Sequence, residues 1–111
     1  MARDPGLEEL VREHLGFEPG LVEAAMFGGR AWLLDGNLLC AASGKGLMVR
    51  LGKGNDGWAL KRSGVAQMSA GHPMAGWVRA DADAYGDDDL RTKLLSAALA
   101  FTRALPPKEP Q

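Results

Sequence analysis

The sequence predicts an α+β fold, a two-layer sandwich in which helices cover an antiparallel sheet. The first observation is a middle stretch, 26–51, where apolar runs of strand length alternate with turn residues: Gly28-Gly29, Asp35-Gly36-Asn37 and Gly44-Lys45-Gly46. Such short runs are typical of strands, and glycine supplies the positive φ that tight hairpins require. The second observation is a segment of helical apolar spacing near each end of the chain.

Composition places the chain among ordinary globular proteins. Its 111 residues suffice for one core, so we expect a single domain over 1–108 with a frayed tail at 109–111. Thirteen basic against 14 acidic residues give a formal net charge of -1, which argues against a general attraction to nucleic acid or anionic membranes. The single Cys40, with no signal peptide and no membrane-length apolar run, predicts a cytoplasmic protein.

The first helix is predicted to begin after Asp4, its N-cap, with Pro5 at the first helical position. Gly16 is the predicted end of this helix. Between them, one apolar stripe recurs at helical spacing: Leu7, Leu10, Val11 and Leu15.

Strand-length segments follow at 22–27, 30–34, 38–43 and 47–51. The sequence leaves open whether Gly28-Gly29 bends one long strand or separates two, so this section has three or four strands. Both faces of the strands are partly apolar. We therefore expect helices to cover one face of the sheet and a partner subunit to cover the other.

The second half of the chain continues with a short helix over 56–62, for which Asn55 is the predicted cap. Two further strands are predicted at 65–68 and 76–80, joined by a loop at 69–75. The predicted element order is therefore one helix, three or four strands, a short helix and two strands, followed by a final helix.

That last helix is predicted to begin at the three aspartates 87–89, whose charges suit the positive end of the helix dipole. Pro106-Pro107 is predicted to stop it. Its apolar stripe is the strongest in the chain: Leu90, Leu94, Ala97, Ala98, Phe101 and Leu105.

Two motifs resemble ligand sites but lack the rest of the pattern. Residues 52–57 form a G-x-G-x-x-G, yet the preceding strand belongs to an antiparallel meander and no acidic residue stands about twenty positions on. The stretch from Asp81 begins like a calcium loop, but Tyr85 and Thr92 occupy two ligand positions. We interpret the first as a turn with a helix cap and the second as a strand exit leading to a helix cap, so no cofactor and no metal is predicted.

The sequence contains few residues that are suited to side-chain catalysis. His14 borders the apolar stripe of the first helix, and nothing in the sequence brings His14 or His72 to a nucleophile. Cys40 lies in a predicted strand between apolar residues, so we expect a buried thiol with a raised pKa. The sequence therefore predicts a protein that is not an enzyme.

A local basic excess gives nucleic acid binding as an alternative. Between 45 and 62 five basic residues face one acidic residue, a local excess of +4, whereas 81–89 carries five aspartates and no basic residue. Such a dipolar surface can hold phosphates on one side, although a solvated face is the simpler interpretation. The residues assigned to this alternative are Arg50, Lys53, Lys61 and Arg62.

Several separated pieces of the chain resemble one family, the N-terminal domain of the TfoX (Sxy) competence regulators. Together they run from about 22 to 108. The pieces are Met26-Phe27-Gly28-Gly29, Asp35-Gly36-Asn37, Leu47-Met48-Val49-Arg50, Ala59-Leu60, Gly71-His72-Pro73-Met74-Ala75-Gly76-Trp77-Val78, Ala98-Leu99-Ala100-Phe101 and Leu105-Pro106-Pro107-Lys108.

The resemblance implies a bacterial cytoplasmic protein with an α-β(3)-α-β(2)-α sandwich similar to secretion-chaperone-like folds. TfoX regulators switch on DNA-uptake genes together with a cyclic-AMP-dependent activator and carry a second, helical domain, so this chain is expected to be a stand-alone module. His72 and Ala75 stand where basic residues are common in the family. The resemblance implies no catalytic residue.

Three hypotheses follow. The first is a regulatory module that binds another protein, as a homodimer through the less covered sheet face. The second is a nucleic acid binder that uses Arg50, Lys53, Lys61 and Arg62. The third is a small-ligand protein or enzyme, which requires a pocket that only a structure can reveal.

Overall fold

A computed structural model of the chain describes residues 3–26 and 28–108. In these residues the six strands form one antiparallel sheet with the order β1-β2-β3-β4-β6-β5. The predicted α+β class is confirmed. The elements in chain order are α1 (Pro5–Leu15), β1 (Leu21–Met26), β2 (Gly29–Leu34), β3 (Asn37–Ser43), β4 (Gly46–Arg50), α2 (Gly57–Leu60), β5 (Val65–Ser69), β6 (Pro73–Ala80), α3 (Ala82–Tyr85) and α4 (Asp88–Arg103).

The first sheet section has four strands, not the three of the α-β(3) order. Gly28 has a φ of +74° and lies in the turn between β1 and β2. These two strands are antiparallel, and Met26 and Gly29 are the paired residues nearest the turn. The two glycines therefore separate two strands. Phe27, predicted as the end of the first strand, lies outside the described residues.

Side-chain caps fix the N-terminal starts of the two long helices at the predicted positions. The Asp4 carboxylate accepts a hydrogen bond from the Leu7 N–H at 3.1 Å, and the Asp87 carboxylate accepts one from the Leu90 N–H at 3.0 Å. These carboxylates satisfy backbone donors that have no partner inside the helix. The last helix ends at Arg103, so Leu105 lies beyond the helix that it was predicted to extend.

The region around α2 differs from its prediction in detail. The helix is one turn long, and Asp56 rather than Asn55 occupies its N-cap position. The Asp56 side chain accepts a hydrogen bond from the Gly76 N–H at 3.2 Å instead of capping the helix. Backbone pairing with β5 extends β6 back to Pro73, which shortens the predicted loop at 69–75 to a tight turn.

The main core lies between one face of the sheet and the helices. Leu7, Val11 and Leu15 of α1 pack in this core, as do Leu90 and Leu94 of α4. Alternate residues of β4 also belong to the main core, as expected where helices cover one face of a sheet. These residues are Leu47, Val49 and, just beyond the strand, Leu51.

The opposite face of the sheet carries a second, smaller apolar cluster. Its buried members are Ala31, Ala41 and Met48, which are neighbours across β2, β3 and β4. Partly exposed apolar side chains surround them: Leu33, Leu38, Met68 and Trp77. Among the described residues, none of those in this cluster belongs to a helix, and we call this side of the sheet the helix-free face.

A buried carboxylate links α1 to the segment before it. The Glu8 side chain is only 1% exposed and accepts two hydrogen bonds from the Arg3 guanidinium, at 2.7 and 3.0 Å. These hydrogen bonds are the largest cause of a Glu8 pKa below the ordinary value of 4.5, against the opposite effect of burial. Arg12 adds a third contact at 3.5 Å.

We expect Glu8→Gln to lower the free energy of unfolding by about 1–2 kcal/mol at neutral pH, because a charge-assisted pair is lost. A carboxyl whose pKa is depressed in the folded state stabilises above its unfolded pKa, and that contribution is lost as the pH falls through the folded value. The difference between the two proteins should therefore shrink below about pH 4.5. Urea unfolding across this range measures it.

The matched control for this prediction is Glu13→Gln, because Glu13 is an exposed residue of the same helix. It should leave the unfolding free energy nearly unchanged at every pH. A Glu8 variant that unfolded like the control would show that the buried pair contributes no stability.

Candidate functional site

The helix-free face contains a groove of about 540 Å³. Ala41 and Met48 form its buried floor, and Trp77 of β6 flanks it. Met68 and Met74, from either side of the β5–β6 turn, form its outer wall. Flexible methionine side chains with an aromatic ring suit a surface that adapts to its ligand.

One end of the groove is cationic. Lys45 lies in the β3–β4 turn, and Arg79 lies on β6 opposite Met48. Gly46, with a φ of +122°, has no side chain, and Arg79 Cγ lies 3.5 Å from the position that a Cβ would occupy there. Neither Lys45 nor Arg79 forms an ion pair with any described residue.

A polar hydroxyl accompanies these two cations. Ser43 is almost fully buried and also lines the groove. Its Oγ accepts a hydrogen bond from the Lys45 N–H at 3.1 Å, which leaves the hydroxyl proton to be donated. The groove therefore combines an apolar floor with a hydrogen-bonding, positively charged end.

Arg50, the first residue assigned to nucleic acid binding, is held between two aromatic rings. Its guanidinium carbon lies 5.3 Å from the centroid of Trp77 and 5.6 Å from that of Phe101. These are cation–π distances, and the side chain is half-buried. The contacts join the end of β4 to β6 and to α4, so Arg50 has a packing role in this structure.

The other three residues of that prediction are exposed. Lys53 lies in the turn before α2, whereas Lys61 and Arg62 lie in the turn after it. Within the described residues none of the three forms an ion pair. The structure does not test nucleic acid binding by these residues, which stays a prediction.

The G-x-G-x-x-G at 52–57 forms the turn between β4 and α2. Gly52 and Gly54 have φ of +98° and +85°, as tight turns require. The carbonyl of Gly76 accepts hydrogen bonds from the N–H groups of Leu51 and Gly52, at 2.7 and 3.2 Å. Since β4 runs antiparallel to both of its neighbours, the parallel βαβ unit of a dinucleotide site is not formed here.

Asp81, one of the two aspartates that suggested a calcium loop, acts as a helix cap. Asp81 accepts a hydrogen bond from the Ala84 N–H at 3.0 Å and begins α3, a one-turn helix that the sequence prediction did not include. Asp87 caps α4. Among the described residues, no group of three or more His, Cys, Asp and Glu side chains is placed to hold a metal ion.

Cys40 and the two histidines occupy separate environments. Cys40 is fully buried in the main core, and this burial raises the pKa of its thiol, as predicted. His14 Nε2 lies 3.2 Å from Ser96 Oγ, and partial burial together with the charge of Arg91 lowers the His14 pKa. His72 is exposed in the β5–β6 turn.

The comparisons with known proteins identify a family. The TfoX N-terminal domain model matches residues 14–102 of the 111-residue chain. Neither the curated proteins nor the solved structures include a match. Within the described residues, no helix has both the length and the apolar character to cross a bilayer. The chain belongs to the TfoX N-terminal domain family.

Proposed function

We propose that this protein is a non-enzymatic regulatory module of the bacterial cytoplasm that acts by binding another protein through its helix-free sheet face. The observation that carries this proposal is the second apolar cluster, whose rim of Leu33, Leu38, Met68 and Trp77 is partly exposed. The family supports a regulatory role, since its named members, the TfoX regulators, act in the control of DNA-uptake genes. A second copy of the chain is the first partner to test.

The chemistry of this face supports a protein interface. Contiguous apolar surface on a folded domain is typical of interaction sites, and methionine and tryptophan are enriched at the centres of interfaces. Basic side chains border the cluster, as polar residues border interface centres, and these include Lys45 and Arg79. By contrast, the cysteine and the two histidines are not among the residues that line the groove.

Met68→Glu is expected to weaken association, because it places a charge in the apolar rim. Met68 is partly exposed at the sheet edge strand β5, so the folded domain can accept the glutamate. We expect self-association, or the affinity for a captured partner, to fall at least about tenfold. Light scattering and sedimentation at micromolar concentration measure the first, and a pull-down from native cells supplies partners for the second.

Ala100→Glu is the matched control, since it introduces the same side chain at an exposed position of α4. It should change neither association nor thermal unfolding. A strict monomer that captures no partner would refute the proposed function. Equal losses in both variants would show that the helix-free face is not the interface.

A further inference from the structure

We propose that the groove on the helix-free face binds a small, single-chain amphiphile with a carboxylate head, such as a medium-chain alkanoate, as a free molecule. This site goes beyond the proposed protein interaction and does not depend on it. The proposal rests on three observations: the size of the groove, its apolar lining, and two cations at one end that form no ion pair with a described residue.

The groove has the dimensions of a small-ligand site. Its volume of about 540 Å³ lies within the range of clefts that enclose ligands of drug size. Met48, at the floor, is only 6% exposed. Met68 and Met74 can adjust their unbranched side chains around an alkyl chain.

The cationic end specifies the head group. Lys45 and Arg79 both line the groove, and Arg79 Cγ is a neighbour of Gly46, the residue next to Lys45. A carboxylate there could pair with both cations, because the arginine guanidinium matches its planar geometry and the lysine ammonium adds a second charge. Ser43 can donate a third hydrogen bond.

The acidic residues that the structure describes near the groove do not pair with Lys45 or Arg79. None of the described residues that line the groove is acidic. Asp81 shares a neighbouring depression with Lys45 and Arg79, but its Oδ1 caps α3 and it forms no ion pair with either cation. A second copy that presents this same face would supply apolar cover but no anion. Charge complementarity therefore favours an anionic ligand, which the described lining of the groove does not supply.

Isothermal titration calorimetry of the whole chain with octanoate, decanoate and dodecanoate below their micelle concentrations tests the proposal. We expect saturable one-to-one binding, with dodecanol bound about tenfold more weakly than dodecanoate because it lacks the charge. Lys45→Gln and Arg79→Gln should each weaken dodecanoate about tenfold. Lys53→Gln removes the same charge from an exposed turn outside the groove and should leave the affinity unchanged.

A variant of the floor separates apolar from electrostatic recognition. Ala41→Leu adds volume at the base of the groove, on the face away from the main core. It should abolish dodecanoate binding, and because Ala41 is only 4% exposed it should also lower the thermal unfolding midpoint by several degrees, which leaves the variant folded. Chemical shift changes on binding should fall on Ala41, Met48 and Trp77.

Several outcomes would overturn the proposal. They are no saturable binding of any alkanoate, equal affinity for dodecanol and dodecanoate, and a loss in Lys53→Gln as large as in the groove variants. Binding to phosphatidylglycerol vesicles without binding of free alkanoates would also overturn it. The outcome is separable from that of the proposed function, because a monomer without partners can still bind dodecanoate, and a protein-binding face can fail to do so.

Discussion

Replacing Leu94 with alanine is expected to lower the free energy of unfolding by about 3 kcal/mol. Leu94 is a fully buried residue of α4 and belongs to the main core with Leu47, Val49 and Val78 of the sheet. Truncation removes the transfer free energy of the leucine side chain and leaves a cavity that close-packed neighbours fill only in part. Urea denaturation followed by circular dichroism measures the loss.

The matched control is Leu60→Ala. Leu60 lies on α2 and is 37% exposed, so its truncation leaves no closed cavity. We expect this variant to lose less than about 1 kcal/mol. If the two leucine variants lost equal amounts, the position of α4 over the centre of the sheet would be wrong.

The two leucines also show how much of the fold can be predicted from the local sequence pattern. Leu94 belongs to the apolar stripe of a sixteen-residue helix that begins at an aspartate cap, so both the helix and its buried face follow directly from the sequence. Leu60 lies in the segment 56–62 that the sequence predicts to be a helix, yet α2 is a single turn. A segment that short has too few intrahelical hydrogen bonds to fix its own ends, so surrounding contacts decide them.

Long-range pairing explains what the sequence did not predict about the site. The groove exists because β6 returns to pair with β4, which brings Arg79 opposite Met48. No local signal selects β6 rather than β5 as the neighbour of β4, because both follow the same connection through α2. The sequence therefore predicted an apolar, partly uncovered sheet face but not the groove or the grouping of Lys45 with Arg79.

The basic residues of 45–62 illustrate the same limit. Their shared sequence segment suggested one surface, whereas the structure uses Arg50 in packing between Trp77 and Phe101 and leaves Lys53 exposed in a turn. Lys45 instead shares the groove with Arg79, from a different part of the chain. Charge counted along the sequence does not describe charge on a surface when the chain changes direction at every turn.

Gly76→Ala is expected to cost about 3 kcal/mol of unfolding free energy, because two effects add at this position. Gly76 has a φ of +87°, which disfavours any residue with a Cβ. A Cβ would also overlap the backbone of Gly52 and Lys53, which packs against Gly76. The Gly76 carbonyl accepts the hydrogen bonds from Leu51 and Gly52, so the two segments cannot separate without losing them.

Gly54→Ala isolates the conformational part of this cost. Gly54 has nearly the same φ, +85°, but no atom lies within 4 Å of the position that its Cβ would occupy. We expect a loss of about 1 kcal/mol, measured by the same urea titration. The difference between the two variants then reports the close approach of β6 to the turn after β4. Equal losses would mean that this approach is looser than the structure shows. The position of Trp77, the next residue of β6, beside the groove would then be wrong as well.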